Sequence, residues 1–289
     1  MAGETGIAWT DSTQNFWEGC SKVGPGCDHC YAETRNRRFA DGANWGAGAP
    51  RRRTSVQAWN QPAKWQREAD AFEAEHGHPR RVFCSSLADV FDNEVDPHWR
   101  EEAMSIMAQT DRLRWQLLTK RVGNVEKMVP KTWHPAEDRS DGMVRDRFHW
   151  PKHIGLMITV VTGVEVLRDV PKLLDLKKRF GIPWVGLSIE PLIEDISQEL
   201  IAAMSEHGEV DWMIVGGESG AGARRYDLAW PRRIIQLGRI VGIPVFHKQL
   251  GENAWRSDSR FYTAHKKGED PSEWPDDLVC REFPPALLS

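Results

Sequence analysis

The residues best placed to do chemistry are Cys20, Cys27 and Cys30, at a C-x6-C-x2-C spacing. Gly24, Pro25 and Gly26 turn the chain between the first two, so the three thiols can converge. Five cysteines in 289 residues, three of them within eleven positions, are too few and too unevenly placed for a disulfide framework. Convergent thiols of this kind point to metal. A structural zinc site is normally closed by four ligands, and His29, adjacent to two of the thiols, is badly placed to be the fourth. A distant His or Cys84 would have to serve. A cubane iron–sulfur cluster held by three thiolates instead leaves one iron open to a small molecule. Zinc, an iron–sulfur cluster and plain structural thiols are the readings this loop allows. Cys84, inside an apolar run, and Cys280, in the tail, read as packing residues.

The elements that must position these thiols are short apolar runs separated by polar or helical sequence. The runs fall at 15–19, 81–85, 114–119, 154–161, 184–189, 211–215 and 244–247, and suit strands buried on both faces. Helical periodicity appears at 97–109, 170–180 and 230–241, with a further helix at 64–75. Gly181-Ile182-Pro183 and Gly242-Ile243-Pro244 repeat one helix-to-strand punctuation. This alternation predicts an α/β fold: a TIM-barrel-like (β/α) parallel barrel, full or partial, of six to eight strands. An open doubly wound sheet is the alternative. The metal loop follows the first strand, at the end of the sheet where such folds place their chemistry. The barrel is expected over 1–252, interrupted by a basic, Trp-bearing insertion at 35–80 and a second polar loop at 129–153. Residues 253–289 read as an extension packed on the outside.

Composition sets outer limits. The chain is 28% charged with a net charge of −4, against indiscriminate coating of nucleic acid. Its longest uncharged apolar run, 154–164, is about half the roughly 20 residues a membrane span needs. The first residues carry no basic start followed by an apolar block. A cytoplasmic protein without a membrane partner is the expectation. The 14 tryptophans are unusually many and are expected in the core or under loops.

The motifs Gly6-Ile-Ala-Trp9-Thr-Asp11, Gly26-Cys27-Asp-His-Cys30-Tyr31-Ala-Glu33, Gln116-Leu-Leu-Thr-Lys-Arg121, Leu187-Ser-Ile-Glu-Pro191, Ile214-Val-Gly-Gly-Glu-Ser-Gly220 and Phe246-His-Lys-Gln249 resemble, in that order, those of a bacterial and phage family known as domain of unknown function 5131. The cysteine loop itself resembles the cluster loop of radical S-adenosylmethionine enzymes. It differs in a first gap of six rather than three, and in Tyr31 following the last cysteine rather than preceding it. The resemblance implies a radical S-adenosylmethionine-like barrel with a [4Fe-4S] cluster on Cys20, Cys27 and Cys30, S-adenosylmethionine on the open iron, and an external electron donor. It further implies a 5′-deoxyadenosyl radical that abstracts hydrogen from a substrate it does not specify.

Polar residues at the predicted strand ends would meet such a cofactor on one rim. Glu190 and Glu218 suit its ammonium and ribose hydroxyls, and Lys120, Arg121 or Lys248 its carboxylate. Gly216 and Gly217 would let it approach the backbone. In radical S-adenosylmethionine enzymes a Gly-Gly-Glu element follows the second strand. Here Ser85 and Ser86 hold that place and are expected to share the role, with Ser188 and Tyr31 nearby.

Residues 35–67 carry eight basic residues against one acid, Asp41, with Trp45, Trp59 and Trp65 interleaved. Cationic loops with stacking aromatics hold single-stranded or flipped nucleotides, so a DNA or RNA substrate, modified or repaired, is the expectation. The competing readings are a zinc-stapled, non-catalytic nucleic-acid-binding protein and a zinc-dependent hydrolase on the same barrel. His76 and His78 end a helix and read as loop residues rather than a metal pair.

Overall fold

The computed structural model describes residues 3–135 and 149–289. Seven parallel strands form one sheet in chain order: β1 (Ser12–Thr13), β2 (Arg81–Cys84), β3 (Arg114–Thr119), β4 (Ile154–Thr159), β5 (Val185–Ile189), β6 (Trp212–Gly216) and β7 (Val245–Gln249). Gly3–Glu4 adds a short antiparallel edge beside β1. A sequential order rules out the doubly wound alternative, whose strand order reverses at a switch point. Right-handed crossovers that always step the same way put the helices on one face, and the twisted sheet curls away from them. Among the described residues β1 and β7 do not pair, so the result is a half-barrel.

The outer face is aliphatic. Val82, Leu117, Leu156, Leu187 and Val215 are fully buried in one cluster with residues of α4 (Pro97–Gln109), α5 (Val125–Met128), α6 (Gly163–Phe180), α7 (Ser197–His207) and α8 (Ala229–Val241). Asp96 caps α4 by accepting from His98 N–H at 2.9 Å, with Pro97 in its first turn. Helix α6 begins two turns before the predicted 170. Thr162 accepts from Glu165 N–H while Glu165 reaches back to Val161 N–H at 2.8 Å, a reciprocal cap that outweighs the internal Pro171. Helix α7 has weaker periodicity, with Leu200, Ala203 and Met204 buried, and was not predicted.

The inner face differs at its two ends. Toward the strand N-termini it is filled by aromatics: Trp9, Phe83, Trp184, Trp212 and Phe246 form a separate cluster. Gly155 on β4 makes room for one of them, because a Cβ there would lie 1.9 Å from the Trp184 ring. Toward the C-termini the strands open into a polar cavity.

Three expectations need correction. The first strand is not 15–19: the chain pairs with the sheet at Ser12–Thr13, and Trp17–Glu18 instead pairs antiparallel with Arg52–Arg53. The side chain of Asn15 takes up Ser86 Oγ (2.9 Å) and Leu87 N–H (2.8 Å), which turns the backbone out of the ladder. The 35–80 insertion is largely helical: α1 (Tyr31–Ala40), α2 (Val56–Arg67) and α3 (Ala69–His76), with the predicted 64–75 helix broken at Glu68. Of the second polar loop, residues 136–148 lie outside the described residues. No described helix is long and apolar enough to cross a membrane.

The third correction concerns the tail. Residues 278–287 do not lie outside the fold. His247 N–H donates to Cys280 O (2.7 Å) and Glu282 N–H to Val245 O (3.0 Å), so the tail covers the free edge of β7. Phe283 and Leu287 then enter the aromatic cluster. His247 fastens this closure: its Nδ1 faces Leu278 O at 2.9 Å and its Nε2 faces the Tyr226 hydroxyl at 2.9 Å. A carbonyl can only accept, so Nδ1 carries the proton and Tyr226 donates to Nε2. Complete burial pushes the His247 pKa down to about 4 from 6.5. The unfolded chain therefore binds the extra proton first. Stability from neutral His247 is complete above pH 6.5 and drains as pH falls toward 4, by on the order of 3 kcal/mol. Denaturant titrations over that interval should show a steep loss in the wild type and a shallower one in His247→Gln, which keeps one donor and one acceptor but cannot be protonated.

Candidate active site

Three different elements fix the three cysteines. Cys20 is held by β-bridges, its own to Trp45 and the neighbouring Gly19–Ala88 bridge, and its carbonyl accepts from Gly46 N–H at 2.9 Å. Cys27 closes a 3-10 turn over Pro25–Cys27, its N–H on Gly24 O. Cys30 is the N-cap of α1, where the helix N-terminus favours negative charge. All three border one cavity of about 600 Å³ at the C-terminal end of the strands. Among the described residues no three His, Cys, Asp or Glu side chains close on a point that a single ion could fill. A cubane makes a weaker demand, since each thiolate binds a different iron and the thiols need only border a common space.

Two guanidinium groups clamp the loop. Arg121, just past β3, donates to Cys20 Sγ (3.4 Å), to Ser21 O and Oγ (2.9 and 3.0 Å) and to Asp89 (3.1 Å). Burial, helped by Asp89 and only partly offset by Arg121, pushes the Cys20 thiol up to about 11. Arg224 grips the other end, donating to Pro25 O (3.0 Å), Asp28 (3.2 Å) and Glu218 (2.6 Å). Glu218 also accepts from His29 Nδ1 at 2.9 Å. Its burial works against the charge, but the hydrogen bonds from Arg224 and His29 outweigh it and hold the carboxyl below its ordinary range.

These contacts sort the residues expected to hold a cofactor. Glu218 and Arg121 line the cavity but are committed to the loop. Tyr31 also lines it, its hydroxyl donating to Ser86 O at 2.5 Å, and Ser86 Oγ is engaged with Asn15. Gly216 and Gly217 admit protein rather than ligand: a Cβ on Gly216 would meet Glu190 Oε1 at 2.7 Å, and one on Gly217 the carbonyl of Leu250 at 2.2 Å. Gly217, but not Gly216, reaches the cavity wall.

The remaining groups are not engaged with the cysteine loop. Lys120 borders the cavity, and its ammonium makes no ion pair or hydrogen bond among the described residues. Glu190 and Lys248 face each other across 3.0 Å, and Ser188 lies beside them on the same wall. Among the described residues Ser85 Oγ, Thr159 Oγ1 and Trp45 Nε1 are buried there without a hydrogen-bond partner, a cost that a polar ligand would relieve. Thr159 and Arg224 were not anticipated. Thr159 ends β4 with the inward alternation of Gly155 and Met157, which a strand-end count could have found; Arg224 lies in a loop without a local signal.

The insertion looks different from its sequence. Arg51 is buried between Asp92 (2.7 Å) and Glu94, Arg35 and Arg52 pair with Glu18, Arg37 with Glu33 and Arg53 with Glu102. Trp59 and Trp65 are core residues at 4% exposure. Arg38 on α1 and Arg67 on α2 make no ion pair among the described residues. Phe39 is 68% exposed with the Arg35 and Arg38 guanidinium groups 5.4 and 5.2 Å from its ring, and Tyr31 stands at the cavity end of the same helix.

The family model described as "Protein of unknown function (DUF5131)" matches residues 4–275. No curated protein matches the chain. Similar solved structures include a spore photoproduct lyase mutant with dinucleoside spore photoproduct (14% identity, TM-score 0.47, 82% of this chain and 62% of that one). Others are spore photoproduct lyase complexed with the same dinucleoside (14%, 0.45, 82% and 63%) and a mutant with bound AdoMet and the dinucleoside (14%, 0.44, 72% and 56%). The chain matches about six-tenths of the length of these proteins. At these scores the likeness adds nothing to what the strand order shows.

Replacing Arg224 by Gln leaves Glu218 buried without its guanidinium and releases Pro25 O. A stability loss of about 2 kcal/mol in denaturant titration is expected, together with faster alkylation of Cys27 in the metal-free chain.

Proposed function

The chain belongs to the DUF5131 family, and we propose that its cavity is the active site of a radical S-adenosylmethionine-type iron–sulfur enzyme. The observation that carries this reading is the shared cavity: three cysteines fixed by separate elements border the same space as an ammonium and hydroxyls that have no partner among the described residues. When bound, a [4Fe-4S] cluster with S-adenosylmethionine supplies one-electron, hydrogen-abstracting radical chemistry. The electrons come from an external donor.

The residues of the chain bind, orient and exclude water. Cys20, Cys27 and Cys30 hold the cluster. Lys120 attracts the cofactor carboxylate, and Glu190, kept ready by Lys248, takes the ammonium or ribose hydroxyls. Ser85 and Thr159 satisfy their hydroxyls on the ligand, with Ser188 on the same wall. The aromatic cluster around Trp184 and Trp212 closes the far end of the barrel against solvent. Arg121 and Glu218 keep the loop in place.

A nucleic-acid substrate is the class this reading takes, supported by the α1 face rather than by the whole 35–67 segment. An exposed ring with two guanidinium groups close to it, on the helix whose first turn lines the cavity, suits a nucleobase and its phosphate.

Anaerobic reconstitution should yield about four irons and four sulfides per chain, with a spectrum that changes on adding S-adenosylmethionine. Cys20→Ala should stay folded and lose both. One tightly held zinc without sulfide overturns the reading in favour of a zinc-stapled protein. For the substrate, fluorescence anisotropy with a single-stranded oligonucleotide should show salt-sensitive binding that drops about tenfold in Phe39→Ala. Equal binding by that variant removes the α1 face from consideration.

A further inference from the structure

The surroundings of Cys20 hold more charge than positioning the loop requires. Arg121, with a side chain 7% exposed, is the donor that reaches the sulfur. Behind it stand two carboxylates. Asp89 accepts from Arg121 at 3.1 Å and is itself fixed by Thr119 Oγ1 (2.7 Å), Lys120 N–H (2.9 Å) and Phe91 N–H (2.9 Å). Asp92 lies 3.8 Å from Arg121 and accepts from Arg51 Nε at 2.7 Å. Arg51 also pairs with Glu94 and donates to Gly46 O (3.2 Å), and Gly46 N–H returns to Cys20 O (2.9 Å). Two guanidinium groups and three carboxylates thus run in a mostly buried chain from the insertion to a single thiol, and the buried Arg100, donating to Asp92 O at 2.6 Å, brings the set to neutrality.

We propose that Arg121 is a positioning residue that sets the reduction potential of the cluster through Cys20, acting against Asp89 and Asp92, with Arg51 holding Asp92 in balance from the insertion. The proposal rests on the iron–sulfur reading. Reducing a cluster adds one negative charge to it. A hydrogen bond and a positive charge at the ligating sulfur favour that state, and carboxylates nearby oppose it. Removing Arg121 both deletes the donor and unmasks the acids. Removing the charge of Asp92 does the reverse. The two substitutions therefore act with opposite sign, whereas a loosened loop would move both the same way.

The test is a redox titration of reconstituted wild type, Arg121→Gln, Arg121→Lys and Asp92→Asn, following the paramagnetic reduced cluster. At a fixed solution potential, Arg121→Gln should hold about tenfold less reduced cluster relative to oxidised, which is 59 mV for one electron. Asp92→Asn should hold more than wild type, and Arg121→Lys should recover most of the loss. Unchanged potentials, or shifts of the same sign in Arg121→Gln and Asp92→Asn, overturn the proposal. The metal-free chains give a second readout, alkylation of Cys20 measured against Cys27 in the same molecule. It should slow in Arg121→Gln and quicken in Asp92→Asn; equal rates overturn the electrostatic role even for a chain that takes up no iron. A wild type that assembles no cluster overturns the iron–sulfur reading instead. Should Arg121→Gln fail to fold, Asp92→Asn decides by the sign of its shift alone.

Discussion

Six residues separate Cys20 from Cys27, and a loop that long cannot hold its own ends at a fixed spacing. The energy needed to order it comes from elsewhere in the chain. Cys20 is assigned to β-bridges, Cys27 to a 3-10 turn and Cys30 to a helix cap. Arg121 and Arg224 then grip the loop from opposite sides of the rim. Much of what surrounds the cavity follows from this. Charges that a cofactor could have used are spent on the protein, so Lys120 and the Glu190–Lys248 pair are what remains.

The insertion is best understood through the same constraint. Read along the chain, 35–67 is a strongly basic segment. In space its arginines meet Glu18, Glu33, Asp92, Glu94 and Glu102, which come from before it, within α1 and after it. Its segment around Trp45 and Arg51 is a strap laid over Cys20. Charge that looks like a ligand-binding patch in one dimension is mostly structural in three; among the described residues Arg38 and Arg67 are the arginines of the segment without an ion pair.

Legibility in the sequence followed how local each signal was. β3 and α4 have the predicted bounds, and β4 to β7 lie within about two residues of theirs, because apolar runs between Gly and Pro punctuation carry their own information. β1 was misplaced because a two-residue strand has no period, and the side chain that turns the backbone out, Asn15, acts through Ser86 and Leu87 far along the chain. The three cysteines are legible from their spacing, and Lys120, Glu190, Lys248 and Ser85 as polar residues at strand ends; all of them border the cavity. The assignments that changed, Glu218, Arg121, Ser86 and the Gly216–Gly217 pair, all changed through partners remote in sequence: His29, Cys20, Asn15 and Leu250. No local pattern announces such pairings.

The aromatic cluster at the closed end of the half-barrel contains both Trp9 and Leu287. Residues nearly the whole chain apart are therefore neighbours in one small core. On a ribosome the strands emerge in the order in which they pair, so the sheet can grow from β1 onward while synthesis proceeds. Its inner core cannot finish until the residues near 287 have left the exit tunnel. Until then Trp184, Trp212 and Phe246 lack part of their cover, and the free edge of β7 is exposed. The sheet can therefore form before its seal, and the interval between the two is when this chain most needs protection from aggregation.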